Sequence, residues 1–156
     1  MRATLAAAVL TLGALTGTVA AREPHRPADV ARARVEQHLS HVHRLAEHFE
    51  SVLDRECPRF DSTREWRAYL ESEIDRVVLL LAHLEEAWIE AKHTGDDGVR
   101  RAAKAPRKRA DRARALIEKL SGCAEGNSAS FSPMSVWRRI EREVPQRQTE
   151  IALPPE

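Results

Sequence analysis

The sequence predicts an all-α protein: a small up-and-down bundle of three long helices and a short C-terminal helix, held by one disulfide. Ala, Arg, Glu and Leu dominate a chain in which Val and Ile are sparse, a composition typical of helices. Apolar residues recur every three or four positions, the period of one helix face. No alternating apolar run bounded by turn residues indicates a strand.

The first 21 residues have the pattern of a secretory signal peptide. Arg2 is the only charged residue before Arg22, an apolar core runs from Ala3 to about Leu15, and small residues follow as far as Ala21. The core is short and is broken by threonine and glycine, which favours cleavage over retention as a membrane anchor. We therefore expect an exported protein, periplasmic or secreted.

The sequence predicts three parts along the chain. Residues 1–21 are the signal peptide, residues 22–150 form a single helical-bundle domain, and residues 151–156 form a flexible tail. Loss of Arg2 leaves 24 of the 25 basic residues against 24 acidic ones, so the overall charge of the mature chain predicts no partner. No later apolar run reaches spanning length, and we expect no transmembrane segment after cleavage.

Residues that typically begin or end helices mark the limits of the first two helices. The first is predicted from about Asp29 to Glu56, before a Cys-Pro pair that ends it. The second opens with Ser-Thr-Arg-Glu at 62–65, a capping box, and continues to about Thr94. Its middle, residues 77–82, is apolar on nearly all sides, which predicts a central helix packed by more than one neighbour.

In each of the remaining two helices, a proline indicates where the helix begins, bends or ends. The third is predicted from residues 96–97 to about Leu120, with a kink at Pro106 or a true start one residue before it. The fourth opens with Ser-Pro at 132–133, an N-cap followed by proline at the first helical position, and is predicted to end before Pro145.

The two cysteines test this topology. Cys57 ends the first helix and Cys123 follows the third. In an up-down-up arrangement these two ends lie at the same pole, because the second helix carries the chain away and the third brings it back. In an exported protein the pair is expected to form a disulfide.

Charge divides unevenly between the second and third helices. Residues 99–120 contain nine basic and two acidic residues, whereas residues 61–97 contain ten acidic and four basic ones. We expect the hairpin to neutralise itself, with the basic side chains near the following acidic residues: Glu71, Asp75, Glu85, Glu86 and Glu90. A surplus remains at Arg107, Lys108 and Arg109, the basic knuckle, which is the candidate anion-binding site.

Histidine is the other residue type that suggests chemistry. Four histidines lie in the first helix, and His38 falls within its apolar stripe. A buried, satisfied His38 with solvated neighbours is the favoured interpretation, so no metal and no cofactor are expected. The alternative is a metal or haem site built from His38, His41 and His83.

No catalytic motif and no nucleic-acid-binding motif occurs, and no motif identifies a family. The predicted function is therefore non-enzymatic binding, as an interaction protein whose partner is a protein or another component of the cell envelope. A weak anionic ligand at the basic knuckle is a further expectation, and nucleic acid is not expected. A histidine-based metal- or haem-binding periplasmic protein is the alternative, followed by an enzyme of unknown type.

Overall fold

A computed structural model describes residues 27–152, which contain five α-helices and no strand, so the predicted all-α fold is confirmed. The signal-peptide prediction, over residues 1–21, lies outside the described residues, as do residues 153–156 of the predicted tail. The helices are α1 (Ala28–Asp54), α2 (Thr63–Lys92), α3 (Asp97–Lys104), α4 (Ala110–Ala124) and α5 (Pro133–Ile151). None of these helices is both long enough and apolar enough to cross a membrane.

A 3₁₀ segment, Ala105–Arg109, joins α3 to α4 and makes them one interrupted arm of the bundle. The interruption lies at Pro106, as predicted. Proline has no N–H to donate and its ring crowds the preceding turn, which would cost about 3 kcal/mol inside a regular α-helix. The tighter turn adapts the backbone to this residue without ending the arm.

The α1–α2 hairpin is antiparallel over its whole length. His48 lies 2.8 Å from Glu73, and His38, ten residues earlier, lies 2.9 Å from His83, ten residues later. α2 begins where the capping box of Ser62 predicted, with both reciprocal hydrogen bonds present. Because α2 also contacts α3, α4 and α5, it is the central helix, as its apolar middle predicted.

α5 extends beyond its predicted end and lies along α2 in the same direction. Arg139, in the first half of α5, pairs with Glu71 of α2, and Arg147, further along α5, pairs with Asp75, which is further along α2. The prediction that this helix is short and ends before Pro145 is wrong, and Ile151, where the predicted tail starts, is its last helical residue. Pro145 is exposed, so water can satisfy the carbonyl that loses its helical hydrogen bond, while the contacts with α2 hold the next turns.

The disulfide between Cys57 and Cys123 is present, with 5.3 Å between the two Cα atoms. This distance is within the ordinary range for a bridged pair. The end of α1 and the end of α4 therefore meet at one pole, which confirms the predicted pairing and topology. Closing a loop of this length stabilises the fold by about 4 kcal/mol in the chain-entropy account.

Two side chains that the sequence did not single out reinforce this pole. Asn127 is buried; its amide donates to the carbonyls of Pro58 (2.9 Å) and Cys123 (3.0 Å) and accepts from the N–H of Phe60 (3.0 Å). Lys119 of α4 donates to the carbonyl of Leu53, 2.7 Å away, and so caps the C-terminus of α1. The pole is thus held by side-chain hydrogen bonds as well as by a covalent bond.

The apolar core has two unequal parts. The larger one surrounds Phe49, Trp66, Ile74, Leu116 and Ile140 and lies towards the disulfide pole. The smaller one, at the opposite end of α1 and α2, is built mainly of alanine and valine: Ala31, Val35, Ala87, Ala91, Val99 and Ala103. Small side chains let these helices approach closely but bury little apolar area, so this end of the bundle depends less on hydrophobic burial.

Replacing Asn127 by alanine tests the hydrogen-bonded pole. We expect Asn127→Ala to lower the free energy of unfolding by about 2 kcal/mol, because a partly buried N–H and two carbonyls lose their partner and each such group costs ~1–3 kcal/mol. Urea denaturation of the oxidised protein measures the change.

Two further variants make that result specific. Asn127→Asp keeps the acceptor for Phe60 but loses both donated bonds, so it should also destabilise the protein. Glu125→Gln, an exposed change two residues away, should stay within ~0.5 kcal/mol of the wild type. An Asn127→Ala protein as stable as the wild type would contradict the assigned role.

Candidate functional site

A layer of buried polar side chains crosses the α1–α2 interface between the two apolar cores. We call it the polar layer, and it consists of Arg34, His38, His83, Glu86 and Glu90. Arg34 and Glu90 form an ion pair of 3.3 Å with both side chains less than a tenth exposed. Buried ionisable groups at a helix interface are costly unless paired, so this layer is the part of the interior where chemistry other than packing is concentrated.

Three histidines meet at one edge of the polar layer. The Nδ1 atoms of His38 and His83 are 2.9 Å apart, a hydrogen bond in which one ring donates and the other accepts. His41 stacks on His83 with 4.4 Å between ring centroids and 13° between ring planes. His38 and His41 lie one turn apart on α1, and the hairpin register brings His83 of α2 against both.

Burial holds the three imidazoles in the neutral form at neutral pH. The pKa of His83 is lowered to about 4, mainly by desolvation and to a smaller extent by the neighbouring rings of His41 and His38. Desolvation is also the main cause of the lowered pKa values of His38 and His41. For His38 the carboxylate of Glu90 acts in the opposite direction but does not cancel the effect of burial.

The His38 ring carries a buried polar atom that has no partner among residues 27–152. Nε2 of His38 is buried and makes no hydrogen bond within the described residues. His38 also lines a cavity of about 310 Å³ together with Gln37, His41, Leu79, His83 and Ile151. We call this cavity the histidine pocket. Its volume is at the lower limit for small-ligand sites.

The chain matches no protein-family model, no curated protein and no solved structure. The ligands that the histidine pocket can bind are therefore inferred from its own side chains and their geometry. Neutral imidazoles offer one lone pair and one N–H each, so they can accept or donate hydrogen bonds or bind a transition-metal ion. Among residues 27–152, no three His, Cys, Asp or Glu side chains are arranged to hold a metal ion together.

The structure thus brings together the three histidines that the alternative prediction named, and separates them from the others of α1. His43 is exposed and lies 3.2 Å from Glu47 of the next turn. His48 lies nearer the disulfide pole, where it contacts the buried carboxylate of Glu73. The histidine-rich stretch of α1 is therefore not one site, because its members lie on different faces of the helix.

The acidic half of the polar layer lies elsewhere than the sequence predicted. Glu90 was expected to face the basic third arm, yet it pairs with Arg34 of α1. Glu86 accepts a hydrogen bond of 3.4 Å from Gln148 of α5, and burial and the nearby Glu90 raise its pKa. The available signal was Arg34, which lies one turn before His38 and therefore beside the apolar stripe of α1.

The basic knuckle is divided among different neighbours. Arg107 lies 3.4 Å from Glu85 and covers the ring of Trp88, with 5.2 Å between its guanidinium carbon and the ring centroid. Nη1 of Arg109 is 3.2 Å from Nδ1 of His43, and Lys108 is exposed. The expectation that all three are unopposed is wrong for Arg107, because the 3₁₀ turn directs consecutive side chains to different sides.

The charge pairing between α2 and the third arm is also only partly as predicted. Glu85 pairs with a basic residue of that arm, as expected, but its partner is Arg107, which was expected to be unopposed. Glu71 and Asp75 pair with Arg139 and Arg147 of α5 instead, so for these two residues the expectation is wrong. The reason is that α5, longer than predicted, lies along this acidic face of α2.

A matched pair of charge reversals tests the division of the knuckle. Arg107→Glu places a carboxylate beside Glu85 and removes the cation over Trp88, so we expect it to lower the free energy of unfolding by about 1 kcal/mol. Lys108→Glu, on the adjacent exposed position, should change it by less than ~0.5 kcal/mol. Thermal and urea unfolding at low and high salt measure both, and equal effects would contradict the assignment.

Glu86 gives a prediction about pH. Because its folded pKa is raised above the ordinary value of 4.5, its ionised form disfavours the folded state, and this penalty develops as the pH rises above that value. Glu86→Gln keeps the acceptor for Gln148 and removes the charge, so it should stabilise the protein at pH 7 by on the order of 1 kcal/mol.

The gain should disappear below about pH 4.5, where the carboxyl is neutral in both the folded and the unfolded protein. Glu85→Gln is the control, since it loses the exposed pair with Arg107 and should not stabilise. Urea unfolding midpoints of the three proteins between pH 4 and pH 8 make the comparison. A gain for Glu86→Gln that does not depend on pH would show that charge is not its cause.

Proposed function

We propose that this chain is an exported, non-enzymatic protein that acts by binding, and that the histidine pocket is where it binds. The single observation that carries the proposal is the buried Nε2 atom of His38, which has no partner within the described residues in a side chain that lines the pocket. An unpaired buried polar atom costs about 1–3 kcal/mol. A ligand that satisfies this ring would recover that free energy.

The composition of the pocket supports a small ligand or an ion. Three uncharged imidazoles supply polar contacts, while Leu79 and Ile151 supply apolar walls. A site of this type gives specificity through a few directed polar groups on an otherwise apolar surface. A protein or envelope-component partner on the outer surface, and a weak anionic ligand at the basic knuckle, stay predictions.

Export is supported by two independent features. The first 21 residues have the composition of a signal peptide. The Cys57–Cys123 disulfide is typical of proteins outside the cytoplasm, where thiols are not kept reduced. The bridge also supports a non-enzymatic role, since it leaves neither cysteine available as a thiolate nucleophile.

Native mass spectrometry of the untagged, oxidised protein, isolated from the extracytoplasmic fraction of cells that express it, tests the proposal. We expect a chain that begins at Ala21 or Arg22, accompanied by a heavier species that carries a bound small molecule or ion. His83→Gln should lose the heavier species, because it removes one wall of the pocket. The exposed His43→Gln should retain it.

Two results would overturn the proposal. A chain that keeps residues 1–21 and fractionates with the cytoplasm would reject export. A wild-type protein without any bound species, or a bound species that His83→Gln retains, would reject the histidine pocket as the binding site.

A further inference from the structure

The contact between His38 and His83 has room for one proton between the two rings. Their Nδ1 atoms face each other at 2.9 Å, with 5.2 Å between the ring centroids, so one Nδ1–H donates and the other Nδ1 accepts. If both rings were protonated, each Nδ1 would carry an N–H directed at the other. The hydrogen bond that joins α1 to α2 in the polar layer would then be lost.

His41 extends this restriction to a third ring. It stacks on His83 with 4.4 Å between ring centroids, so protonation of both rings would bring two like charges into contact. Two arginines of α1 add positive charge, Arg34 close to His38 and Arg44 at 3.1 Å from Nδ1 of His41. The three imidazoles therefore pack together only while most of them are neutral.

The acidic groups around the three rings offset this charge poorly. Glu90 attracts positive charge on His38, but it is shared with Arg34. Glu86 has a raised pKa, so it loses its own charge as the solution becomes acidic. The other charged or titratable groups at this end are His93 of α2, which is near Glu86, and two surface pairs, Arg107 with Glu85 and Arg147 with Glu150.

The bundle is weaker on the side of the polar layer that lies away from the disulfide. The smaller core on that side consists of alanine and valine, which bury little apolar area. The other side contains the larger core, the Cys57–Cys123 bridge and the hydrogen bonds of Asn127. A destabilised polar layer therefore separates the beginning of α1 from the end of α2 before the disulfide pole unfolds.

We propose that the histidine pocket opens in acid: protons taken up by His38, His41 and His83 separate α1 from α2 at the polar layer, while the disulfide pole stays folded. Opening would release whatever the pocket holds. This inference rests on the proposed function, since it names the regulation of the same pocket. The opening itself is measurable without a ligand.

The pH range follows from the direction of the pKa changes. In the closed protein the pKa of His83 is about 4, below the ordinary value of 6.5, and the pKa values of His38 and His41 are lowered as well. The closed form is therefore fully favoured above pH 6.5 and loses stability as the pH falls towards 4. His83 alone shifts the balance towards the open form by about tenfold between pH 7.5 and pH 5.5.

The test is amide hydrogen exchange of the untagged, oxidised protein from pH 7.5 to pH 5.0, corrected for the exchange rate of the unfolded chain at each pH. We expect protection of residues 35–41 and 83–91 to fall by about tenfold between pH 7.5 and pH 5.5. Protection of residues 113–124, next to the disulfide, should change by less than about twofold. In ¹⁵N NMR of the same protein, the ring of His83 should titrate well below pH 6.5.

Variants assign the effect to the histidines. His83→Gln keeps a hydrogen-bonding group opposite His38 but takes up no proton, so protection of residues 35–41 should fall by less than about threefold over the same range. The exposed His43→Gln, also a change in α1 or α2, should keep the tenfold fall. If His83→Gln is already open at pH 7.5, the regional pattern and the ring titration of the wild-type protein decide.

The inference is overturned if protection around the pocket does not fall in acid, if it falls equally beside the disulfide, or if His83→Gln and His43→Gln respond alike. A His83 ring that takes up its proton near pH 6.5 while protection is kept also overturns it. Native mass spectrometry separates these failures from failure of the proposed function. A bound species that persists to pH 5.0 keeps the pocket and rejects acid release, whereas acid opening without a bound species at any pH rejects the binding site alone.

Discussion

The antiparallel packing of α1 against α2 is the constraint on which the rest of the structure depends. The capping box at Ser62 fixes where α2 begins, and from there each position on α2 has one opposite position on α1. His48 meets Glu73 near the disulfide pole, and His38 meets His83 ten residues further along each helix. A slip by one turn would separate both pairs and leave the fully buried Glu73 with Arg76 of its own helix as its remaining ion-pair partner, which is unfavourable because a buried carboxylate depends on its hydrogen-bonding partners.

The polar layer is difficult to explain by stability alone. Paired charges such as Arg34 and Glu90 recover only part of the free energy lost on leaving water, and Nε2 of His38, which has no partner in the part of the chain that the structure describes, recovers none there. An apolar layer of the same volume would hold α1 and α2 together at least as well. The disulfide and the hydrogen bonds of Asn127 and Lys119 lie at one pole, and they stabilise a bundle whose other end is lined by small residues and crossed by buried charge.

α5 links the surface charge of the protein to the histidine pocket. Its arginines neutralise Glu71 and Asp75 on α2, and the bond from Arg139 lowers the pKa of Glu71. The same helix then carries Gln148 to Glu86 and Ile151 to the wall of the pocket. Exposed ion pairs of this kind contribute little free energy each, but together they determine along which face of α2 the last helix lies. The pocket is lined at one side by a helix that the sequence indicated would end before Pro145, seven residues earlier.

The sequence by itself determined the fold class, the central position of α2, the break at Pro106 and the disulfide, because each of these follows from local pattern. Helical periodicity, capping residues and proline act within a few positions, and the pairing of two cysteines allows one solution. The convergence of His38, His41 and His83 could be named only as an alternative, since periodicity places residues on a face but does not give the register between two helices. The pairing of Glu90 with Arg34, the division of the basic knuckle and the full length of α5 were decided by tertiary contacts. In α5, packing and ion pairs with α2 offset the local cost of Pro145. A prediction from local sequence fails where contacts between residues distant in sequence stabilise the structure by more than the local cost.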